Sequence, residues 1–349
     1  MSVRRARRRR SRFAQAFLAL LLLLAVAAAA AWLGWVQETT SLKLRAGDPP
    51  AHLLVAPGAN ADSIGRDLRA LGLVRHPLLF RVLARVRGAS GQLKAGDYSL
   101  SGPLSLEGIL RVLVRGDVTR RALTIPEGRT LDEIAEIVAA HGLDAAAFLA
   151  AAADPTPVRD IDAEASDLEG YLFPDTYDVS LKPDAERLLV ARMAQRFRAV
   201  LVPRLALLSQ QGLSVRQLVT LASIVELETA RAEERPRIAA VFLNRLRRGM
   251  LLQTDPSIIY ALKKAGRWDG DIRRADLQLE SPYNTYKRAG LPPGPLGCPG
   301  RESILAVLAP AATRELYFVS RNDGTHEFNE RLADHNRAVD RYQRHRARS

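Results

Sequence analysis

Ser214-Val-Arg-Gln-Leu-Val-Thr-Leu-Ala-Ser-Ile-Val-Glu-Leu-Glu-Thr229 decides how the second half of this chain folds. Ser214 and Gln217 stand at capping-box spacing, so the serine takes the N–H three residues on while the glutamine reaches back. From there a helix is expected to about Ala230, with Leu218, Leu221, Ala222 and Val225 as its inward stripe. Glu226 and Glu228 fall on opposite shoulders of that stripe, because two residues at about 100° each differ by about 200°. Periodicity therefore admits at most one of them to a given cleft and does not say which. A solvated glutamate is the ordinary outcome for either.

Downstream, Pro236 starts a second helix with Ile238, Val241, Phe242 and Leu246 inward and Gly249 as its stop. Asn244 points off that face, free to reach a groove. In Leu252-Gln253-Thr-Asp255-Pro256-Ser257, Asp255 reads as an N-cap ahead of a proline at the first helical position. The segment Ser281-Pro-Tyr283-Asn284-Thr285-Tyr286, followed by Gly290-Leu-Pro-Pro-Gly294, is rigid, aromatic and rich in amides and hydroxyls. Such surfaces bind sugar rings by stacking and hydrogen bonding. Leu316–Ser320 and Thr325–Phe328 predict a hairpin around Asn322-Asp323-Gly324, followed by a helix from Asn329 carrying His335 and Asn336. His326 and His335 lack a third ligand at fitting spacing, so hydrogen bonding inside the fold is expected and neither a metal nor another cofactor is called for.

Upstream, Lys182-Pro183-Asp184 opens a long helix from about Ala185 to Ser209. Before it lie an aromatic turn, Glu169-Gly-Tyr-Leu-Phe-Pro-Asp-Thr-Tyr177, and a joint near Asp154–Asp167. Further back, glycine, apolar residues at +6 and +10, and Gly-Leu at +14 and +15 occur twice: Gly58, Ile64, Leu68, Gly72-Leu73, and Gly128, Ile134, Val138, Gly142-Leu143. Each copy reads as strand, glycine turn and amphipathic helix ended by glycine, capped by Asp62 in the first and Thr130 in the second. Between them Lys94–Leu100 reads as a strand and Leu104–Val114 as a helix.

The chain of 349 residues has a formal charge of +13, which invites a nucleic-acid reading. Seven of those charges are Arg4, Arg5, Arg7, Arg8, Arg9, Arg10 and Arg12, and the rest are scattered among acids apart from a basic tail at Arg341, Arg344, Arg346 and Arg348. No nucleic-acid partner is expected. The tail reads as a solvated helix end. Cys298 is the only cysteine, so an intrachain disulfide is impossible. From Phe13 to Val36 no residue is charged, and two dozen helical residues span roughly 36 Å, enough for a ~30 Å hydrocarbon core. Trp32 and Trp35 suit the far interface, and the arginines hold the N-terminus in the cytoplasm. Alanines 27–31 offer signal-peptide cleavage sites, but the apolar run continues past them, so an uncleaved anchor is expected.

Taken together, Leu221-Ala-Ser-Ile-Val-Glu226-x-Glu-Thr229, Val241-Phe-x-Asn-Arg-Leu246, Leu252-Gln-Thr-Asp-Pro256, Tyr283-Asn-Thr-Tyr286, Gly290-Leu-Pro-Pro-Gly294 and His326-x-Phe328 with His335-Asn336 resemble the YceG-like endolytic murein transglycosylases. The resemblance is strongest from Gly170 to Val339. It implies an α+β protein: a basic cytoplasmic tail (1–12), one inner-membrane helix (13–36), a small LysM-like α/β subdomain (50–150) and a mixed α+β catalytic domain outside the cytoplasm (168–345). It also implies Glu226 as the catalytic acid and base. Peptidoglycan glycan strands are the implied substrate, with peptidoglycan synthases as candidate partners. Asn244, Gln253, Asp255, Tyr283, Asn284, Thr285, Tyr286 and His326 are the expected substrate contacts. Two alternatives stay open: a two-carboxylate hydrolase using Asp255 or Glu228, and a non-catalytic wall-binding scaffold.

The arginine cluster and apolar run generate a topology test. A reporter fused after Ser349 should be active only outside the cytoplasm. Cytoplasmic activity would overturn the orientation, and a mature N-terminus near Ala30 would show that the segment is cleaved.

Overall fold

A computed structural model describes residues 2–344, with side chains from 17 to 343. The side chains of the arginine cluster, and Arg346 and Arg348 of the basic tail, lie outside the described residues. The chain forms two compact units: residues 1–120 with 180–183, and residues 121–179 with 184–349.

The first unit begins with α1 (Ser2–Thr40). Its segment Phe17–Thr40 is long and apolar enough to cross a membrane, and the apolar part is uncovered by the rest of the protein. Among the described residues of α1 the last turns meet the unit: Trp35 packs on the core and Thr39 is buried. Then come β1 (Leu42–Leu44), β2 (Ala51–Val55), α2 (Ala61–Ala70), α3 (Pro77–Val86), β3 (Gly96–Leu100), β4 (Leu104–Ser105) and α4 (Leu106–Arg115). β1 pairs with β4 and β2 with β3, both antiparallel. Leu53, Ile64, Leu68, Phe80, Tyr98 and Leu106 fill the core between them. The first copy of the repeat folds as strand, turn and helix, with Gly58 at φ +76° and Gly72 at φ +73°. Its cap, however, is Asn60, whose side chain accepts from the Asp62 and Ser63 N–H groups while Ser63 returns the bond. Asp62 sits inside the first turn instead and pairs with Arg81 at 3.1 Å.

The second unit contains β5 (Arg121–Thr124), α5 (Leu131–Ala140), α6 (Ala145–Ala152), β6 (Thr176–Val179), α7 (Ala185–Leu201), α8 (Leu205–Gln211) and α9 (Val215–Glu228). It continues with α10 (Arg235–Arg247), α11 (Asp255–Lys264), α12 (Arg301–Leu308), β7 (Tyr317–Ser320), β8 (His326–Asn329) and α13 (Leu332–Val339). β5 pairs with β6, and β7 with β8, again antiparallel. The second repeat copy, β5 with α5 and its Thr130–Glu133 capping box, belongs here, so the segment grouped as 50–150 is divided between the units. The stretch 154–167 is packed rather than a linker: Val158, Asp162 and Ala165 are buried. The long helix expected over 185–209 breaks at Leu201 into a 3-10 turn over Val202–Arg204, because Pro203 has no N–H to give and crowds the preceding turn. The last helix starts at Leu332, since Asn329 is held in the hairpin opposite Tyr317.

At the centre lies α9, packed by α10, α11 and α12. Val215 and every residue from Leu218 to Val225 are buried, so the stripe read from the sequence widens to nearly the full circumference. Arg216 and Gln217 in the first turn and the last turn from Glu226 emerge from this packing.

The cap assignment is testable by denaturant unfolding of the full chain. Asn60→Ala should destabilise the first unit by about 1 kcal/mol, whereas Asp62→Ala, losing only an exposed pair, should stay within about 0.5 kcal/mol. The reverse order would restore Asp62 as the cap.

Candidate active site

Capping starts α9 as the sequence predicts: Ser214 Oγ accepts from Gln217 N at 3.1 Å and Gln217 Oε1 accepts from Ser214 N at 2.9 Å. Its C-terminal turn presents the two glutamates on opposite sides, and their surroundings differ in kind.

Glu226 is ion-paired. Arg235 Nη2 donates to its Oε1 at 2.6 Å and Gly300 N–H to its Oε2 at 2.9 Å. Side-chain exposure is 6% for Glu226 and 7% for Arg235. Glu127 Oε2 stands 3.5 Å from the same Arg235 Nη2. Burial pushes the Glu226 carboxyl upward and the Glu127 charge adds to this, while Gly300 N–H and Arg235 oppose it.

Glu228 receives a hydrogen bond from the Thr254 hydroxyl. Among the described residues no cation forms an ion pair with it; Arg245 acts on it only as a nearby charge. Burial is the largest influence on its carboxyl and the neighbouring Asp255 charge adds to it, pushing the pKa up to about 7 against the opposing effects of Thr254 and Arg245. A carboxyl in this state gives and takes a proton near neutrality, whereas one locked to a guanidinium does so poorly. Burial pushes both carboxyls upward, and they differ in partner: a guanidinium for Glu226, the expected acid and base, and a hydroxyl for Glu228.

The segment from Gln253 to Asp255 and the loop Tyr283–Tyr286 meet beside Glu228. Thr254 is the residue ahead of α11, so Asp255 occupies the first helical position instead of the N-cap. Its carboxylate accepts from the Tyr286 hydroxyl. Thr285 Oγ1 accepts from Thr254 N at 3.1 Å and bonds Ser257 Oγ at 2.8 Å. Gln253 N donates to Thr285 O at 3.2 Å, and Gln253 is exposed at φ +51°, a conformation a side chain rarely adopts. Backbone strain of this kind gathers at functional sites.

Other expected contacts are engaged within the protein. Asn244 Nδ2 donates to Thr313 O at 2.9 Å and Glu315 O at 3.0 Å, so it is clamped rather than free to reach a groove. Asn284, fully buried, donates to Leu277 O and Leu279 O and accepts from Tyr286 N. Tyr283 packs on Tyr260 with ring centroids 4.7 Å apart. His326 binds Glu234 through Nδ1 at 2.7 Å and its own N–H at 2.9 Å. The Gly290–Pro293 loop borders a cavity of about 720 Å³ with Ser214, Arg216 and Asp162. That cavity lies at the start of α9, a helix roughly 21 Å long, with the glutamates at the other end.

Reading the residues alone passed over Arg235 and Arg245. Arg235 heads α10, where the helix dipole disfavours a cation; that mismatch was a legible sign of a buried partner. Arg245 is buried, donating through Nε to Leu316 O at 2.7 Å and through Nη1 to Leu252 O at 2.7 Å. It ties α10 to the hairpin and to the approach of Thr254.

The YceG-like family model matches residues 53–341. An endolytic murein transglycosylase of Streptococcus pneumoniae serotype 2 (strain D39 / NCTC 7466) is 36% identical over 319 residues, covering 82% of this chain and 57% of that protein. The chain thus spans a little over half the length of that relative. One of Bacillus subtilis (strain 168) is 32% identical over 308 residues, covering 83% of this chain and 84% of that protein. The crystal structure of a YceG-like protein from Listeria monocytogenes is similar with a TM-score of 0.56 at 30% identity, covering 83% of this chain and 99% of that one.

The raised Glu228 carboxyl predicts a pH-dependent stability. Its ordinary value is 4.5 and its folded value about 7, so the folded state prefers the protonated form. Its contribution is complete below pH 4.5 and is lost as pH rises towards about 7. Relative to Glu228→Gln, the native chain should lose stability across that window and no further above it. Equal differences at pH 5 and pH 8 in denaturant unfolding would contradict the assignment.

Proposed function

The chain belongs to the YceG-like family, and from that premise we propose that it is an endolytic lytic transglycosylase of peptidoglycan in which Glu228 is the acid and base. The observation that carries the residue assignment is the Glu228 carboxyl: partly buried, raised to about 7, bound by the Thr254 hydroxyl and without a cationic partner among the described residues. In the proposed reaction the protonated Glu228 donates to the glycosidic oxygen between N-acetylmuramic acid and N-acetylglucosamine as the C1–O bond breaks. The resulting carboxylate takes the proton of the muramic C6 hydroxyl while O6 bonds C1, leaving a 1,6-anhydro end and consuming no water. A single group serves both steps because its pKa lies near the working pH. Asp255, Tyr286 and Gln253 line the same place and are the proposed sugar contacts.

Phe17–Thr40 is the proposed inner-membrane anchor, with the N-terminus cytoplasmic and the chain after Thr40 outside. The first unit is proposed as a LysM-like glycan-holding module, and synthases as partners at the membrane. The charge of Asp255 beside Glu228 supports one rival, a hydrolase with Asp255 as second carboxylate.

Digestion of purified sacculi separates the readings. Glu228→Gln keeps shape but cannot exchange the proton, so cleavage should fall by about 10²–10⁴-fold with glycan binding retained. The native chain should leave anhydro ends. Reducing ends would point to the hydrolase, no cleavage by native protein to a wall-binding scaffold, and an active Glu228→Gln would remove Glu228 from the reaction.

A further inference from the structure

Glu228 is the last residue of α9, and the residue after it, Thr229, is already extended. A helix end of this kind frays unless something outside the helix holds it. The holding group is the Glu226 carboxylate. Its Oε1 is bound by Arg235 at 2.6 Å, from the first residue of α10, and its Oε2 by the Gly300 N–H at 2.9 Å, directly ahead of α12. Glu127 flanks the same guanidinium at 3.5 Å. A Cβ at Gly300 would lie 1.8 Å from Glu127 Oε1, so a side chain there would require Glu127 to move. Three helices and one loop thus converge on one carboxylate.

This convergence is a poor way to gain stability. A buried ion pair loses hydration on both sides, and apolar substitutes of similar volume often fold as well. Arg235 also stands at a helix N-terminus, against the dipole, and its buried Nε has no hydrogen-bond partner among the described residues. What the arrangement does supply is a unique position for the last turn of α9.

We propose that Glu226 and Arg235 form a positioning pair that fixes the last turn of α9 so that Glu228 stays against Thr254 with its carboxyl aimed at the substrate. The proposal rests on the reading of Glu228 as the acid and base. Around Glu228 the charged or titratable groups are Asp255 from α11, Arg245 from α10 and Tyr286 from the loop; around Glu226 they are Arg235 and Glu127. Neither Glu226 nor Arg235 needs to touch the sugar.

The test is steady-state cleavage of soluble glycan strands by the full chain, across pH, with melting temperature recorded for each variant. Glu226→Gln preserves shape but loses the ionic grip. It should cut kcat by on the order of 10²-fold with KM little changed. As water reaches the loosened turn, the group whose titration governs kcat should move towards an ordinary carboxylate, shifting the optimum to lower pH. The double variant Glu226→Leu/Arg235→Met replaces the pair by apolar groups; it should recover the melting temperature without recovering kcat or the pH profile. Should the double variant fail to fold, Glu226→Gln decides alone. Folded Glu226→Gln with native kcat and pH optimum overturns the proposal, as does a double variant with native kcat. If that happens while Glu228→Gln is inactive, only the positioning role falls. An active Glu228→Gln beside an inactive Glu226→Gln removes the Glu228 reading itself.

Discussion

The burial of α9 is the constraint on which the second unit depends. A helix packed by three others along most of its length has nowhere to put a charge between its first turn, which carries Arg216, and its last. Both carboxylates are therefore confined to the turn that leaves the core, at a boundary where neighbouring helix ends can supply donors. Desolvation there raises both carboxyls, and the donors that each then meets make them different.

That difference is set by donor chemistry. A guanidinium and a backbone N–H answer Glu226, and both favour its charged form. A single hydroxyl answers Glu228, while Asp255 opposes ionisation. Two glutamates two residues apart, both pushed upward by burial, thus meet unlike partners: an ion pair and a backbone N–H for one, a hydroxyl for the other. The same logic separates acid and base roles wherever neighbouring carboxyls meet unlike surroundings.

Several residues that stand out in the motifs turn out to satisfy buried backbone groups. Asn244 answers the carbonyls of Thr313 and Glu315, Asn284 those of Leu277 and Leu279, and Arg245 those of Leu251, Leu252 and Leu316. Irregular segments around a site leave carbonyls without sheet or helix partners, and side-chain amides and guanidinium groups supply the missing donors. Without these bonds the Thr254–Asp255 corner and the Tyr286 loop would have no defined place beside Glu228. The polar residues of such motifs are as much a part of building the site as of occupying it.

Most of what neighbours within a turn or two govern was legible in the sequence. The Ser214–Gln217 box, the Thr130 cap, the hairpin about Asn322–Gly324, the repeated strand–turn–helix and the apolar first segment all follow from spacing, turn chemistry and apolar periodicity. Local misreadings, such as Asp62 for Asn60 or Asp255 as an N-cap, were slips of a position or two between equally good capping residues. The choice between Glu226 and Glu228 was of another kind. Both lie on one helix in almost the same local sequence, so no local rule separates them. The groups that do separate them sit 9 residues away at Arg235, 26 at Thr254 and 74 at Gly300. Helix periodicity aims a side chain; only the packing of distant helix ends decides which partner it meets, and the partner sets the charge it carries.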